Sequence, residues 1–264
     1  MKHIKGKIFW ITGASSGIGE ALTYQLNRLG CSLVISSRRL EALEIVKKNC
    51  ANPSAVSVLP MDLEAFDTLP EITEKAIEFH GKIDVLINNG GISQRSLITE
   101  TKFEVFKKMI DVNYLGTILL SKSILPHFIN NNSGHFVTVT SLMGKFGSPY
   151  RSGYCGAKHA LHGFFDVLRM EHDKDNINVT LICPGFIQTD VAKNALTGNG
   201  TAQKKQDEAT ANGMRAIDCA DKIIKAIEKN KFEVYIGGKE TFGVYLKRFF
   251  PKMLHKVVLK SSVR

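Results

Sequence analysis

Short apolar runs alternate with segments of helical period along almost the whole chain, and this alternation constrains the fold more than any other feature. Runs rich in Val, Ile and Leu lie at 7–12, 32–37, 56–60, 83–88, 135–140, 178–182 and 233–236. Helical patterns fall between them at 18–29, 40–48, 71–80, 103–129, 156–174 and 219–229. Strands that are apolar at successive positions need cover on both faces, whereas a half-solvated strand would alternate. The pattern therefore predicts an α/β fold, a doubly wound parallel sheet of about seven strands with helices on both faces. The chain has 264 residues and is 44% hydrophobic, enough for a substantial core. Nothing marks a linker or a second core, so residues 1–264 read as a single domain. The polar stretch 198–213, without apolar period, predicts a loop between the sixth strand and the next helix.

The first strand ends in Thr12-Gly13-Ala14-Ser15-Ser16-Gly17-Ile18-Gly19, and a helix follows at once. Gly13 permits a tight turn, Gly17 lets backbone approach a pyrophosphate, and Gly19 allows close packing of helix on sheet. Ser15, Ser16 and Ile18 complete the loop around a helix N-terminus, where free N–H groups and the macrodipole favour an anion. Such a turn after the first strand predicts a Rossmann-like dinucleotide site. A site for NAD(H) wants an acid at the end of the second strand to bond the ribose 2′-hydroxyl. Here that place holds Ser37, followed by Arg38 and Arg39. A guanidinium pairs with a 2′-phosphate and stacks on adenine, so NADP(H) is expected over NAD(H).

Bulk properties exclude several classes. No segment approaches the roughly 20 apolar residues of a bilayer span, and the start, Met1-Lys2-His3-Ile4-Lys5-Gly6, has no signal-type apolar region. The five cysteines, at 31, 50, 155, 183 and 219, show no paired spacing, which argues against a disulfide framework and a zinc site. The expected location is the cytoplasm. His135, His159 and His162 have no carboxylate or cysteine at ligand spacing, so no metal is expected. Cys155 reads as a small buried residue. The formal charge is +10, but the seven Lys or Arg and single acid, Glu240, from Lys239 onward supply +6 of it. That clustering, without a recognition motif, speaks against nucleic-acid binding.

Further motifs follow in order: Asn88-Asn89-Gly90-Gly91, Asn113 inside a long helix, Ser141 after the fifth strand, Tyr154-Cys155-Gly156-Ala157-Lys158, Pro184-Gly185 and Thr189. With the glycine turn, this set resembles the short-chain dehydrogenase/reductase family in its single-domain branch, over roughly residues 5–240. The resemblance implies that Tyr154 is the general acid/base and that Lys158 lowers its pKa and holds the nicotinamide ribose. It further implies that Ser141 orients the substrate oxygen and that Asn113 holds a water in a relay to Lys158. Asp62 would contact adenine, Asn89 and Gly90 would line the adenosine pocket, and Ile187 and Thr189 would touch the carboxamide beside Pro184-Gly185. At Gly90-Gly91 the sequence departs from the more usual Ala-Gly, a loss of one methyl group. The residues support the same chemistry independently. A phenol of pKa near 10 is a poor base at neutral pH. A lysine four residues on shares its helix face and favours ionisation.

After Thr189, the segment from Asp190 to Gly213 resembles the part of the family that covers the substrate. Met143, Phe146, Phe186, Val191 and Leu196 are the expected pocket lining, which implies a hydrophobic carbonyl or secondary alcohol. By the same analogy, the helix from 103 and the Tyr154 helix form the surface of a homodimer or homotetramer. The tail, about 243–264, exceeds the family's minimal length. Lys252, Lys256 and Lys260 recur every four residues opposite Met253, Leu254, Val257 and Val258. Such a basic amphipathic helix can lie on an anionic membrane or pack on its own domain. Three functions stay open: an NADP(H)-dependent oxidoreductase, a non-catalytic dinucleotide-binding regulator or scaffold, and a non-redox epimerase or lyase of this fold. The complete set Asn113, Ser141, Tyr154 and Lys158 speaks for the first.

Overall fold

The computed structural model describes residues 4–261, so the first three positions of the 1–264 span and the last three of the 243–264 tail lie outside the described residues. The chain alternates as its pattern predicts: β1 (Ile8–Thr12), α1 (Gly17–Arg28), β2 (Ser32–Ser36), α2 (Leu40–Lys48), β3 (Val56–Val58), α3 (Leu69–Glu78) and β4 (Val85–Asn88). Next come α4 (Phe103–Ile110), α5 (Gly116–Asn130), β5 (Gly134–Val139), α6 (Ser152–Glu171), β6 (Ile177–Pro184) and β7 (Ile187–Gln188). The remainder comprises α7 (Glu208–Ala211), β8 (Met214–Arg215), α8 (Ala216–Glu228), β9 (Glu233–Ile236), α9 (Phe242–Phe249) and α10 (Pro251–Lys260).

Seven strands form one parallel sheet in the order β3-β2-β1-β4-β5-β6-β9. The chain leaves β1 in one direction and returns to its other side at β4, which makes the β1–β4 boundary the switch point of the sheet. Strand residues feed two cores in alternation. Phe9 and Ile11 share one with Leu22 and Leu26 of α1 and Ile223 and Ile227 of α8. Ile8 and Trp10 share the other with Leu120, Ile124 and Phe128 of α5 and Phe165 of α6. This is why the strands are apolar throughout; each such side chain, fully buried, contributes about 1.5–3 kcal/mol. In α8, buried Ala220, Ile223, Ile224 and Ile227 follow the i, i+3, i+4, i+7 stripe of a helix that covers a sheet.

Three departures from the sequence reading bear on the site. The expected continuous helix over 103–129 is interrupted by a π-helical turn, Asp111–Leu115, which buries Asn113 completely. A π turn inserts a residue without changing the local apolar content, so periodicity does not register it. Helix α6 begins at Ser152 rather than 156, which places Tyr154 inside its first turn. The basic tail is two helices, and its apolar residues divide. Leu254 is buried with Leu142, Phe146 and Cys183, and Val258 and Leu246 pack against that group. Met253 and Val257 stay exposed alongside Lys252, Lys256 and Lys260.

Among the described residues, no helix is long and apolar enough to cross a membrane. All five cysteines are free and buried. His135 of β5 is fully buried, and its Nε2 hydrogen-bonds Thr180 Oγ1 of β6 at 2.8 Å. Burial pushes its pKa down to about 3, so the folded chain keeps it neutral. The unfolded histidine takes up a proton below about pH 6.5 and the folded one does not, so stability falls as pH drops below that value. Between about pH 6.5 and 5 the parent should lose roughly 2 kcal/mol more than His135→Gln. Urea denaturation at the two pH values would show this; equal losses would refute it.

Candidate active site

The carboxyl ends of β1, β4, β5 and β6 converge on one crevice, where open α/β sheets place their ligands. Hydrogen bonds tie the first two ends together. Thr12 Oγ1 accepts from the backbone N–H of Asn89 at 3.0 Å and of Gly90 at 2.9 Å. The Asn89 amide donates to the carbonyls of Thr12 at 3.0 Å and Gly13 at 3.2 Å. Gly13 and Gly17 hold φ of 65° and 60°, a region that side chains disfavour. A Cβ on Gly19 would overlap the Gly13 carbonyl, so here the third glycine closes the turn on itself. A Cβ on Gly90 would meet the movable end of Leu63 at 3.0 Å and Thr12 Oγ1 at 3.2 Å, close contacts that the glycine relieves.

A cavity of about 890 Å³ opens from this crevice. It is lined by every residue that the sequence singles out as cofactor-binding, catalytic or substrate-lining except Gly19, which lies behind the turn. At one end Ser15, Ser16, Gly17 and Ile18 surround the N-terminus of α1, whose cap residue Ser16 makes no side-chain cap bond. The first-turn N–H groups lack intrahelical partners and suit a pyrophosphate. Beside them Arg39 donates from Nη2 to Ser15 Oγ at 3.2 Å, so Arg39, not Arg38, is tied to the glycine turn. Both guanidiniums line the cavity and both are exposed. Asp62 Oδ1 accepts from the Glu64 N–H at 3.1 Å, which fixes its carboxylate at the same end. The groups at this end suit the phosphates and ribose of a nucleotide.

In the middle lie the groups with acid–base capacity. Ser141 is extended and caps a short 3₁₀ turn; its Oγ accepts from the Met143 N–H at 3.1 Å and donates to the Pro184 carbonyl at 3.4 Å. Tyr154 is half-buried. Its burial raises the phenol's pKa, while hydrogen bonding to Ser141 and the charges of Arg95 and Arg151 oppose that rise. Lys158, on the same face of α6, donates to the Val139 carbonyl at 2.8 Å and sits 5.8 Å from the Tyr154 ring centroid. Burial pushes its pKa down to about 8. Asn113 Oδ1 accepts from the Ile92 N–H at 2.9 Å and its Nδ2 donates to the Ile92 carbonyl at 3.1 Å. The amide therefore pins the segment that follows β4.

The far end is apolar, lined by Met143, Phe146, Phe186, Val191 and Leu196. Tail residues Leu246, Leu254, Val257 and Val258 complete that wall, which the amphipathic pattern of the tail did not suggest. Sequence reading also missed Arg95, Arg151, Asp207 and Glu240, all near the cavity. Glu240 Oε1 accepts from the N–H groups of Phe186 at 3.3 Å and Gly238 at 3.0 Å, bracing the Pro184-Gly185 turn. Local sequence carries no signal for these residues, because their partners are distant in the chain. His162, Cys183 and Glu233 also approach one another, but Lys145 Nζ lies 2.7 Å from Glu233 Oε2 and supplies the positive charge there.

Comparison with known proteins agrees with this architecture. The short chain dehydrogenase family model matches residues 7–200. A Drosophila melanogaster relative, dehydrogenase/reductase SDR family protein 7-like, is 37% identical over 268 residues, covering 99% of this chain and 82% of its own. Human dehydrogenase/reductase SDR family member 7 is 40% identical over 251 residues, covering 92% of this chain and 74% of its own. A Burkholderia phymatum short chain dehydrogenase/reductase solved in complex with NAD shares the fold at TM-score 0.84 and 20% identity, over 100% of this chain and 99% of that one. ElxO solved with NADP bound superposes at TM-score 0.76 and 25% identity, over 88% and 97%. A glycine turn, a Ser–Tyr–Lys cluster and a parallel sheet in this order thus have one source: the chain belongs to the short chain dehydrogenase family.

Proposed function

We propose that this oxidoreductase is NADP(H)-dependent and interconverts a hydrophobic carbonyl compound and its secondary alcohol, with Tyr154 as general acid/base. One observation supports the reading: Ser141, Tyr154 and Lys158 line the same cavity as the glycine turn before α1 and the apolar side chains of Met143, Phe146, Phe186, Val191 and Leu196. Ser15, Ser16, Gly17 and Ile18 would hold the pyrophosphate, Arg38 and Arg39 the 2′-phosphate, and Asp62, Asn89 and Gly90 the adenosine. Pro184, Gly185, Ile187 and Thr189 would flank the nicotinamide. Bound there, the cofactor supplies or accepts the hydride.

The protein's own residues manage the proton. Ser141 Oγ hydrogen-bonds the substrate oxygen and holds it beside the Tyr154 hydroxyl. A phenol whose pKa burial has raised is protonated near neutral pH, so Tyr154 is poised to donate its proton to a developing alkoxide. The buried ammonium of Lys158 favours the phenolate left behind, and Asn113 holds the backbone that leads from β4 to this point. Exclusion of water falls to Phe146, Phe186, Val191 and Leu196. Tyr154→Phe should lower kcat by about 10²–10⁴-fold and leave NADPH affinity nearly unchanged. Turnover followed by NADPH absorbance, with kcat/KM compared for NADPH and NADH, tests both halves. Retained activity would refute the role of Tyr154, and comparable kcat/KM would refute the choice of cofactor. Turnover without any absorbance change would favour an epimerase or lyase.

The tail extends the reading to a membrane surface. Phe249, Phe250, Met253, Val257 and Leu259 are exposed among Lys247, Arg248, Lys252, Lys256 and Lys260, and no acid follows Glu240. Apolar side chains among cations suit an anionic bilayer, at about 1 kcal/mol per Lys or Arg near the surface. The intact chain should pellet with anionic vesicles, less so at high salt. If pelleting does not depend on lipid, this part of the proposal is wrong.

A further inference from the structure

Beside the cavity, which Arg95 and Arg151 line, lies a buried charge cluster that the proposed chemistry does not use. Arg95, Arg151 and Asp207 are 5%, 4% and 2% exposed. Asp207 Oδ2 accepts from Arg95 Nε at 2.8 Å, lies 2.6 Å from Arg95 Nη2, and accepts from Arg151 Nη2 at 3.3 Å. Its Oδ1 accepts from Gln203 Nε2 at 3.2 Å. The remaining nitrogen of Arg95 is bound locally, to Ser93 Oγ at 2.8 Å and the Gln94 carbonyl at 2.7 Å. Burying ions is costly unless geometry and partners offset it, so a three-ion cluster beside a catalytic phenol calls for a reason.

Its placement supplies one. Arg95 follows β4, Arg151 immediately precedes α6, and Asp207 belongs to the connection between β7 and β8 that covers the substrate end. The same three segments are joined by shorter-range bonds. Leu196 N–H donates to the Ser93 carbonyl and Arg95 N–H to the Leu196 carbonyl, both at 2.8 Å. Gln94 Oε1 accepts from the Gly153 N–H at 2.8 Å. Residues 93–95 thus fasten the cover on one side and the start of the Tyr154 helix on the other. We propose that Arg95 is a positioning residue: through Asp207 it locks the 190–211 cover to the first turn of α6, so that closing the substrate end and setting positive charge beside Tyr154 are one arrangement.

The planar fork of arginine suits this task, since two of its nitrogens engage one carboxylate oxygen while the third is held by backbone and Ser93. Around Tyr154 stand Cys155 and Lys158 from its own helix, Arg151 just before that helix, Ser141 after β5 and Arg95 after β4, with Asp207 from the cover paired to both guanidiniums; Asp190, Lys239 and Glu240 line the same cavity. Arg95 and Arg151 lower the phenol's pKa, and Asp207 offsets part of their charge. Removing Arg95 should therefore raise the pKa of Tyr154, and neutralising Asp207 should lower it. A role confined to stability predicts no such opposition.

The test compares Arg95→Gln, Arg95→Lys and Asp207→Asn in the full chain. With NADPH and 4-nitrobenzaldehyde as the probe carbonyl, Arg95→Gln and Asp207→Asn should each lower kcat by about tenfold or more. Their alkaline limbs should move in opposite directions, upward for Arg95→Gln and downward for Asp207→Asn. Arg95→Lys, which keeps the charge, should keep the parent's pH profile. Limited trypsin digestion without substrate reads the lock independently of turnover. Cleavage after Lys193, Lys204 and Lys205 should accelerate several-fold in Arg95→Gln and Asp207→Asn. The proposal rests on the oxidoreductase reading only for the pH limb: absence of turnover in the parent would sink that reading, and digestion would still decide the lock. Superimposable pH profiles, shifts in the same direction, or unchanged digestion would overturn it. Should Arg95→Gln fail to fold, Asp207→Asn against Arg95→Lys decides by the same readouts.

Discussion

Thr12 and Asn89 form the junction on which the site depends. One hydroxyl accepts two backbone N–H groups from the turn after β4, and one amide donates to two carbonyls of the turn after β1. These strands are neighbours in the sheet but their loops leave in different directions, so without the junction the crevice between them would have no fixed width. Each buried group left without its partner costs about 1–3 kcal/mol, which makes the arrangement close to all-or-none. The glycine turn, the N-terminus of α1 and the segment running on to Arg95 all take their positions from it.

Around Tyr154 the decisive contest is between burial and charge. Burial favours the neutral phenol and prevails, although Ser141 and two guanidiniums pull the other way. Lys158, four residues along the helix, looks from sequence like the principal cation. In the folded chain its ammonium is held by the Val139 carbonyl, and the guanidiniums are the cations that most affect the phenol's acidity. A lysine on a helix face can turn to several acceptors, whereas Arg95 and Arg151 are fixed by a shared carboxylate. Electrostatics at this site are thus set by residues from three segments that meet only in the folded protein.

The legible parts of the molecule are those whose physics is local. Each strand and helix follows from apolar period, and the glycine turn follows from φ values that side chains disfavour. Tyr154 and Lys158 were legible because a helix fixes the relation of residues four apart. The π turn at Asp111–Leu115 was not, since it alters hydrogen-bond register without altering composition. The tail was half legible. Its amphipathic period predicts α10, but only the fold shows that Leu254 and Val258 pack against the apolar end of the cavity while Met253 stays outside.

The amino-acid sequence by itself determined the layered α/β architecture, the glycine turn at one end of the cavity and the placing of Tyr154 and Lys158 on one helix face. Those depend on spacing along one element or one turn, where covalent geometry does the placing. Tertiary structure alone decided which charges surround Tyr154, what lines the apolar end of the cavity and where the tail packs. Arg95 and Asp207 are 112 residues apart, and no rule of propensity or period reaches that far. Their meeting results from the sheet order, which brings the ends of β4 and β6 to one crevice.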